Sequence, residues 1–382
     1  MNIAVNCRLL QKGRLEGIGW FMYETLKRIT RSHPEHNFYF IFDRPVCDEF
    51  IFSDNITPLV VTPAARHPVL WYIWFELKLP SVLKKVKADL FFSPDGYLSL
   101  RTRIPSIPVI HDINFAHRPK DLPFWTRHYY NHFFPRFARK AVKICTVSEY
   151  SRKDINKTYN IHFDKIDVVY NGANTNFSPL NKTDIHDIRL QYSEGEPYFL
   201  FIGSIHPRKN LKNLILAYDR FVSESDSNIK LLIVGAAMWK RDKGCESLIG
   251  SHNESRIIFT GRLESEELGR VLAAAHALTF VPWFEGFGIP VLEALYAGVP
   301  VLTSTQTSLP EVGGEAALYA HPDDIEGIAN QMYSLAIDDK LRAELVLKGR
   351  AQKENFSWDK TAEKVWNCLE GVVHDLEKGK SG

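Results

Sequence analysis

Short apolar runs, each closed by turn residues and followed by an amphipathic stretch, recur along almost the whole 382-residue chain. Alternation in this order is what parallel sheets demand, because two parallel strands can be joined only by a crossover and a helix supplies it. The runs predict strands at 2–6, 37–42, 56–61, 90–93, 108–111, 144–147 and 166–169, and again at 198–202, 230–234, 257–260, 277–281 and 299–303. Apolar residues three or four apart predict helices over 20–30, 211–222, 265–275 and 325–334. A chain of this length outgrows a single hydrophobic core, so two α/β domains with a cleft between them are expected. A polar stretch interrupted by Pro179 and Gly195 separates the two sets of strands. It places a first domain at 1–178, a linker at 179–196, a second domain at 197–360 and a final helix at 361–382 returning to the first domain. No repeat of fixed period is present, which sets a solenoid aside.

Composition narrows the setting. Cys7, Cys47, Cys145, Cys245 and Cys368 are scattered, odd in number and free of any CxxC pair, so neither a disulfide framework nor a metal site is encoded. A reducing cytoplasm is the expected compartment. The first ten residues read as a buried strand and not as a secretion signal, and no run of about 18 apolar residues without a charge exists to cross a membrane. Residues 1–180 carry 25 Lys and Arg against 16 Asp and Glu, whereas the remainder carries 22 against 29. A basic half beside an acidic half fits either an anionic partner for the first or simply a solvated basic face.

The chemistry is concentrated in Val281-Pro-Trp-Phe-Glu285-Gly-Phe-Gly-Ile-Pro-Val-Leu-Glu293-Ala-Leu-Tyr-Ala-Gly298-Val-Pro300. It reads as strand, loop, helix and stop. Pro290 suits a first helical turn, where its missing N–H costs nothing, and Gly298 followed by Pro300 ends the helix. Glu285 then falls in the loop and Glu293 near the first turn. Gly286 and Gly288 let the backbone approach a ligand, and the helix start offers unpaired N–H groups to an anion. Each feature taken singly also has a purely structural reading, since acids near a helix start are stabilised by its dipole. Two carboxylates around a glycine loop at the carboxyl end of a parallel strand are more specific, because open α/β sheets bind ligands there.

Three further clusters follow strands. Gly203-Ser-Ile-His-Pro-Arg208-Lys209-Asn210 opens a helix with two cations able to neutralise a diphosphate, or to form a solvated turn. Arg14-Leu-Glu-Gly17-Ile-Gly19 places two glycines after the first strand, short of the full dinucleotide fingerprint. His111-Asp112 ends the strand at 108–111, where a histidine either meets a sugar hydroxyl or is held structurally.

Together these elements resemble the retaining GT-B glycosyltransferases of family 4, known as glycosyltransferase group 1, over nearly the whole chain. The most specific part is the E-x7-E motif of Glu285 and Glu293, supported by Gly203 to Asn210, Val169-Tyr-Asn171-Gly172, Val147-Ser148-Glu149 and Phe356-Ser-Trp358. The resemblance implies an α/β fold of two Rossmann-like domains facing across a deep cleft. It implies that Glu285 bonds the donor-sugar hydroxyls, Glu293 the ribose, and Lys209 with Arg208 the diphosphate. The amides of Gly286, Phe287, Gly288 and Ile289, with the Gly17 to Gly19 loop, would complete the phosphate cradle. His111 would face the donor sugar, and the backbone at Gly261, Arg262 and Leu263 would hold the base. Many members carry an Arg directly after the glycine matched by Gly203, whereas this chain has Ser204.

The function implied is retaining transfer of a hexosyl group, mannosyl among the candidates, from a GDP- or UDP-linked sugar to a glycan or lipid-linked acceptor in cell-surface polysaccharide synthesis. No metal and no other cofactor is called for. A phosphorylase or epimerase of the same fold, or a silent sugar-nucleotide-binding module, stands as the alternative, although no pyridoxal-phosphate lysine context is visible. Residues 118–143 hold seven Lys and Arg (Arg118, Lys120, Arg127, Arg136, Arg139, Lys140, Lys143) interleaved with Phe124, Trp125, Tyr129, Tyr130, Phe133, Phe134 and Phe137. Such a segment suits peripheral contact with an anionic membrane on its inner face, or else the core of the first domain. Nucleic acid is not an expected partner, because no recognition motif accompanies the charge.

Overall fold

Runs of Val, Ile, Leu and Phe without intervening charge pack on both faces only when helices cover both sides of a sheet, and that is how they are used. The computed structural model describes residues 1–235 and 254–380, so Cys245 lies outside the described residues. Within it the chain forms two units, 1–172 with 357–382 and 173–356.

The first unit holds β1 (Asn2–Asn6), β2 (Asn37–Phe42), β3 (Ile56–Val60), β4 (Leu90–Ser93), β5 (Ser106–Pro108), β6 (Ile144–Thr146) and β7 (Ile166–Val168). Five strands align in the order β3-β2-β1-β4-β5, and β6 pairs with β7. A parallel bridge from Val109 to Cys145 links the two sheets. The strand expected at 108–111 thus ends earlier, and His111 lies in the loop beyond it. The second unit holds β8 (Tyr198–Ile202), β9 (Lys230–Val234), β10 (Ile257–Gly261), β11 (Ala277–Phe280), β12 (Val301–Ser304) and β13 (Ala317–Ala320) in the order β10-β9-β8-β11-β12-β13. Every pairing among the named strands is parallel. The four-residue edge strand β13, half of it alanine, carries too little pattern to read from sequence.

The polar stretch at 179–196 is not an open linker. It contains the helix Lys182–Ser193, started by Asn181, whose side chain accepts from the Asp184 amide at 2.9 Å. This helix is bound into the second unit by Arg189 Nε donating to the Ala274 carbonyl (3.0 Å) and by the Tyr192 hydroxyl donating to Glu267 (2.8 Å). Its exposed face made it look like a tether, and only Ile188 is fully buried among its apolar residues.

The last helix, Trp358–Lys380, belongs to the first unit. It packs on the helix Gly17–Ser32, where the Trp366 ring stacks on His33 with centroids 3.6 Å apart, and Arg28 Nε pairs with Asp359 at 2.5 Å. Gly172 sits so close to this junction that a Cβ there would lie 2.3 Å from the Trp358 amide nitrogen, which no side chain tolerates.

The basic, aromatic segment divides between core and surface. It forms the helix Phe124–Lys140, in which Tyr129, Phe134 and Phe137 are buried in the core of the first unit beside Trp71, Phe75 and Tyr97. Phe124 and Trp125 at its start are 58% and 66% exposed.

Candidate active site

In each unit the first strand lies mid-sheet, and the chain runs outward to one side and then to the other. The second unit switches direction between β8 and β11, neighbours registered at Ala277 with Phe199 and Leu278 with Leu200. Loops leaving two such strands at their carboxyl ends diverge and leave a crevice. The two loops are 203–210, after β8, and 281–288, after β11. They are the segments singled out by sequence, and the Arg208 carbonyl accepts the Trp283 amide at 2.9 Å to join them.

Glu285 is the hub. Its carboxylate Oε1 accepts from Arg208 Nη1 at 2.7 Å and forms a second ion pair with Lys209 Nζ. Burial alone would raise its pKa, but Arg208 and Lys209 outweigh that and hold it below the usual carboxylate range. Arg208 Nη1 also reaches the Phe284 carbonyl (3.0 Å), and the Lys209 ammonium lies 5.0 Å from the centre of the Phe280 ring. The backbone of Glu285 is held independently. Its amide donates to Thr307 Oγ1 at 3.3 Å and its carbonyl accepts from Ser308 Oγ at 3.0 Å.

Glu293 contrasts with it. The helix begins at Ile289 with Pro290 in its first turn, so Glu293 lies in the second turn, beyond the reach of a simple end-of-helix explanation. Its carboxyl is half-buried, makes no hydrogen bond or ion pair among the described residues, and is pushed up to about 8 by desolvation. Gly288, just before the helix, adopts φ +101°, and a Cβ there would come within 2.5 Å of Leu309 Cδ2. Gly286 and Phe287 are buried with it, and Phe287 meets Phe356 edge-on at 5.6 Å. Ile289 is half-buried at the helix start.

At the far end of β10, Gly261 takes φ +73° and its carbonyl accepts the Gly235 amide at 2.9 Å. Gly261 and Arg262 are exposed and Leu263 is half-buried.

Gly17, Gly19 and His111 belong to the first unit. The glycines do not form a loop; they lie in the first turn of the helix Gly17–Ser32, with Gly17 exposed and Gly19 buried. His111 is half-buried, with Nε2 2.8 Å from the Pro94 carbonyl and its ring edge-on to Phe21 at 5.0 Å. Desolvation lowers its pKa, so the ring is neutral at pH 7. Nearby, at the switch point between β1 and β4, Arg8 pairs with Asp95 at 2.8 Å and stacks 4.6 Å from the Tyr97 ring centre.

Comparison with known proteins gives the family. Residues 16–177 match the model described as Glycosyltransferase Family 4, and residues 183–352 match Glycosyl transferases group 1. The O-antigen chain mannosyltransferase B of Escherichia coli is 30% identical over 287 residues, 75% of each chain. The chain belongs to the family 4 glycosyltransferases. The O-antigen chain mannosyltransferase RfbU of Salmonella typhimurium is 28% identical over 71% of each chain. A crystal structure of Anabaena Alr3699/HepE in complex with UDP-glucose superposes with a TM-score of 0.75 at 16% identity, over 97% of this chain and 100% of that one. The fold of this glycosyltransferase is therefore GT-B, and membership in the family sets aside the phosphorylase and epimerase readings.

Two residues that hold the candidate site together were not singled out from the sequence. Thr307 and Ser308 follow β12 and fix the Glu285 backbone from a third strand end, and Thr307 does so at φ +59°. Asn210, which closes the cluster read from sequence, takes φ +60° and donates to the Val281 carbonyl (3.0 Å) and the Pro322 carbonyl (2.8 Å), tying the two switch-point loops to the edge of the sheet. The one available signal was the cluster Thr303-Ser-Thr-Gln-Thr-Ser308 between a strand and Pro310, a composition typical of side-chain-to-backbone turns.

Proposed function

We propose that this glycosyltransferase transfers a hexosyl group, mannosyl first among the candidates, from a nucleoside-diphosphate sugar to a glycan or lipid-linked acceptor in cell-surface polysaccharide synthesis, with retention of configuration. The observation that carries the reading is the convergence of Arg208, Lys209 and Glu285 on the switch point, with an unpaired Glu293 on the adjoining helix. The mannosyl assignment is supported by the relatives, which are O-antigen mannosyltransferases.

Chemistry assigns the parts. Cleaving the bond from the anomeric carbon to the phosphate oxygen leaves negative charge on the diphosphate, which Arg208, Lys209 and the amides from Gly286 to Ile289 are suited to stabilise. Displaced from the two cations by the diphosphate, the Glu285 carboxylate becomes available to sugar hydroxyls. Glu293 is suited to ribose hydroxyls, which would supply the partner its desolvated carboxyl lacks. The backbone at Gly261, Arg262 and Leu263 is assigned to the base, which is guanine or uracil. Gly17, Gly19 and the neutral His111 are assigned to the donor on the family resemblance alone. In a retaining transfer without a glycosyl-enzyme, the acceptor oxygen bonds to the anomeric carbon on the face the diphosphate leaves, and the acceptor proton passes to the departing phosphate oxygen. Glu285 then positions the donor and is not a nucleophile.

Among the described residues no helix is long and apolar enough to cross a membrane. Contact with an anionic inner leaflet is assigned to the exposed Phe124 and Trp125, with the Arg127 guanidinium 5.5 Å from the Phe124 ring. The test is transfer from GDP- and UDP-sugars to a membrane extract, with and without chelator, followed by NMR of the new linkage. An α-linked product from an α-donor with chelator present is expected; an inverted linkage, or a covalent sugar adduct on Glu285, would overturn the mechanism.

A further inference from the structure

A cavity of about 560 Å³ opens in the second unit at the edge of the sheet opposite the switch point. Its floor is His276 and Pro300, the residues that precede β11 and β12. Glu285 lies beyond the other end of β11, and four strand residues alone span about 13 Å. A donor diphosphate held by Arg208 and Lys209 therefore does not reach this cavity.

One wall is the helix Asp339–Gln352, which presents Arg342, Val346 and Arg350 at spacings of four, and so on one face. The other wall carries Arg189 from the helix Lys182–Ser193. Three guanidinium groups thus line one concavity. Part of this has a structural explanation. Arg189 Nε closes the end of the helix Ser265–Ala273 through the Ala274 carbonyl at 3.0 Å, and Arg342 closes the end of Ile325–Ile337 through the Ala336 carbonyl at 3.3 Å while pairing with Asp339.

The remainder is unexplained by the fold. The terminal nitrogens of Arg189 have no acceptor among the described residues, and Arg350 has neither hydrogen bond nor ion pair there. His276 is pushed down to about 4 by burial first and then by Arg342 and Arg189, while its Nε2 lies 3.0 Å from the Leu335 carbonyl. Burial likewise lowers the pKa of Arg189. Planar forks with free paired donors match the oxygens of a tetrahedral dianion, and they are selected over point charges for that purpose. We propose that this cavity is a second anion site, binding a phosphate group through Arg189 and Arg350, with Arg342 adding charge from the wall. Val346 and the 66%-exposed Leu347 at its margin would meet an apolar portion of a phosphate ester.

The test uses the whole enzyme with UDP and GDP present in excess to occupy the switch point. Inorganic phosphate is titrated calorimetrically into wild type, R350Q, R189Q/R350Q and K209M. R350Q removes an exposed side chain that holds nothing in place, so it keeps the fold even where R189Q loses a helix cap. Binding weakened about tenfold in R350Q, abolished in the double variant and unchanged in K209M is expected from the loss of one charged fork. Co-sedimentation with vesicles containing phosphatidic acid, against vesicles of phosphatidylcholine alone, separates the sources: retention that depends on Arg350 assigns a lipid headgroup, and phosphate binding without retention assigns a soluble ester. The proposal is overturned by absence of both kinds of binding, by equal affinity in R350Q, or by binding that disappears in K209M instead.

Discussion

Replacing Glu285 by Gln separates ligand affinity from turnover. Glu285 Oε1 sits 2.7 Å from Arg208 Nη1 and pairs also with Lys209, so on the proposed reading it competes with a diphosphate for the two cations. At an effective dielectric of about 20 one such pair attracts by about 6 kcal/mol. Competing water reduces the net worth of a charged hydrogen bond to about 1.5–3 kcal/mol. E285Q removes that competitor, and nucleoside diphosphate binding is expected to tighten roughly 10- to 100-fold. Turnover is expected to fall about 100- to 1,000-fold, because the neutral amide grips the sugar less well as charge develops. The variant also leaves two cations side by side in a buried place, destabilising the free enzyme by about 3 kcal/mol. Added nucleoside diphosphate restores the loss by mass action. Calorimetry with UDP and GDP, initial rates and thermal melts measure the three quantities. Weaker or unchanged nucleotide binding with turnover intact would refute the reasoning, since Glu285 would then neither compete with phosphate nor position sugar.

Glu293 gives the opposite pH behaviour to an ordinary acid. Its folded pKa is raised to about 8 from 4.5, so the folded state holds a proton the unfolded state releases, and stability falls as pH rises between those values. E293Q is expected to melt like wild type at pH 4.5 and to be more stable by roughly 1–3 kcal/mol at pH 8, while binding nucleotide more weakly. Trp366→Ala, which removes the stack on His33, is expected to cost about 3–5 kcal/mol in denaturant melts. Phe124→Ser with Trp125→Ser is expected to leave the melting temperature unchanged and to reduce sedimentation with anionic vesicles, because both side chains are exposed.

Strand positions were legible because a fully buried parallel strand is mostly apolar, as β8 is throughout, β9 is after Lys230 and β11 is apart from Thr279. The helix Lys182–Ser193 was not, because an element docked through a few contacts shows almost no periodicity and reads as a tether. The Glu285 loop could be found from its glycines and its place after a strand. The pairing of Glu285 with Arg208 and Lys209 could not, since 76 residues separate Lys209 from Glu285 and only the β8 to β11 register brings them together. Thr307 and Ser308 were hidden for the same reason: they act on the Glu285 backbone from a third strand. Gly17 and Gly19 show the limit of reading glycine pairs as loops, for nothing local says that the helix begins at Gly17 itself.

The first unit is made from both ends of the chain, 1–172 and 357–382, whereas the second is one continuous piece. During synthesis the helix Gly17–Ser32 emerges early and must wait for Trp366, about 340 residues later, which at ~5–20 residues per second is on the order of 20–70 s. Through that interval the apolar seat of Trp366, Leu369 and Val373 stays uncovered, while the second unit has all of its own strands once β13 emerges. The unit that carries Arg208, Lys209 and Glu285 can therefore finish folding on the ribosome, and the other is completed only by the final turns of helix. A chain cut short before Trp358 would carry the whole Glu285 cluster and still leave its partner unit unfinished.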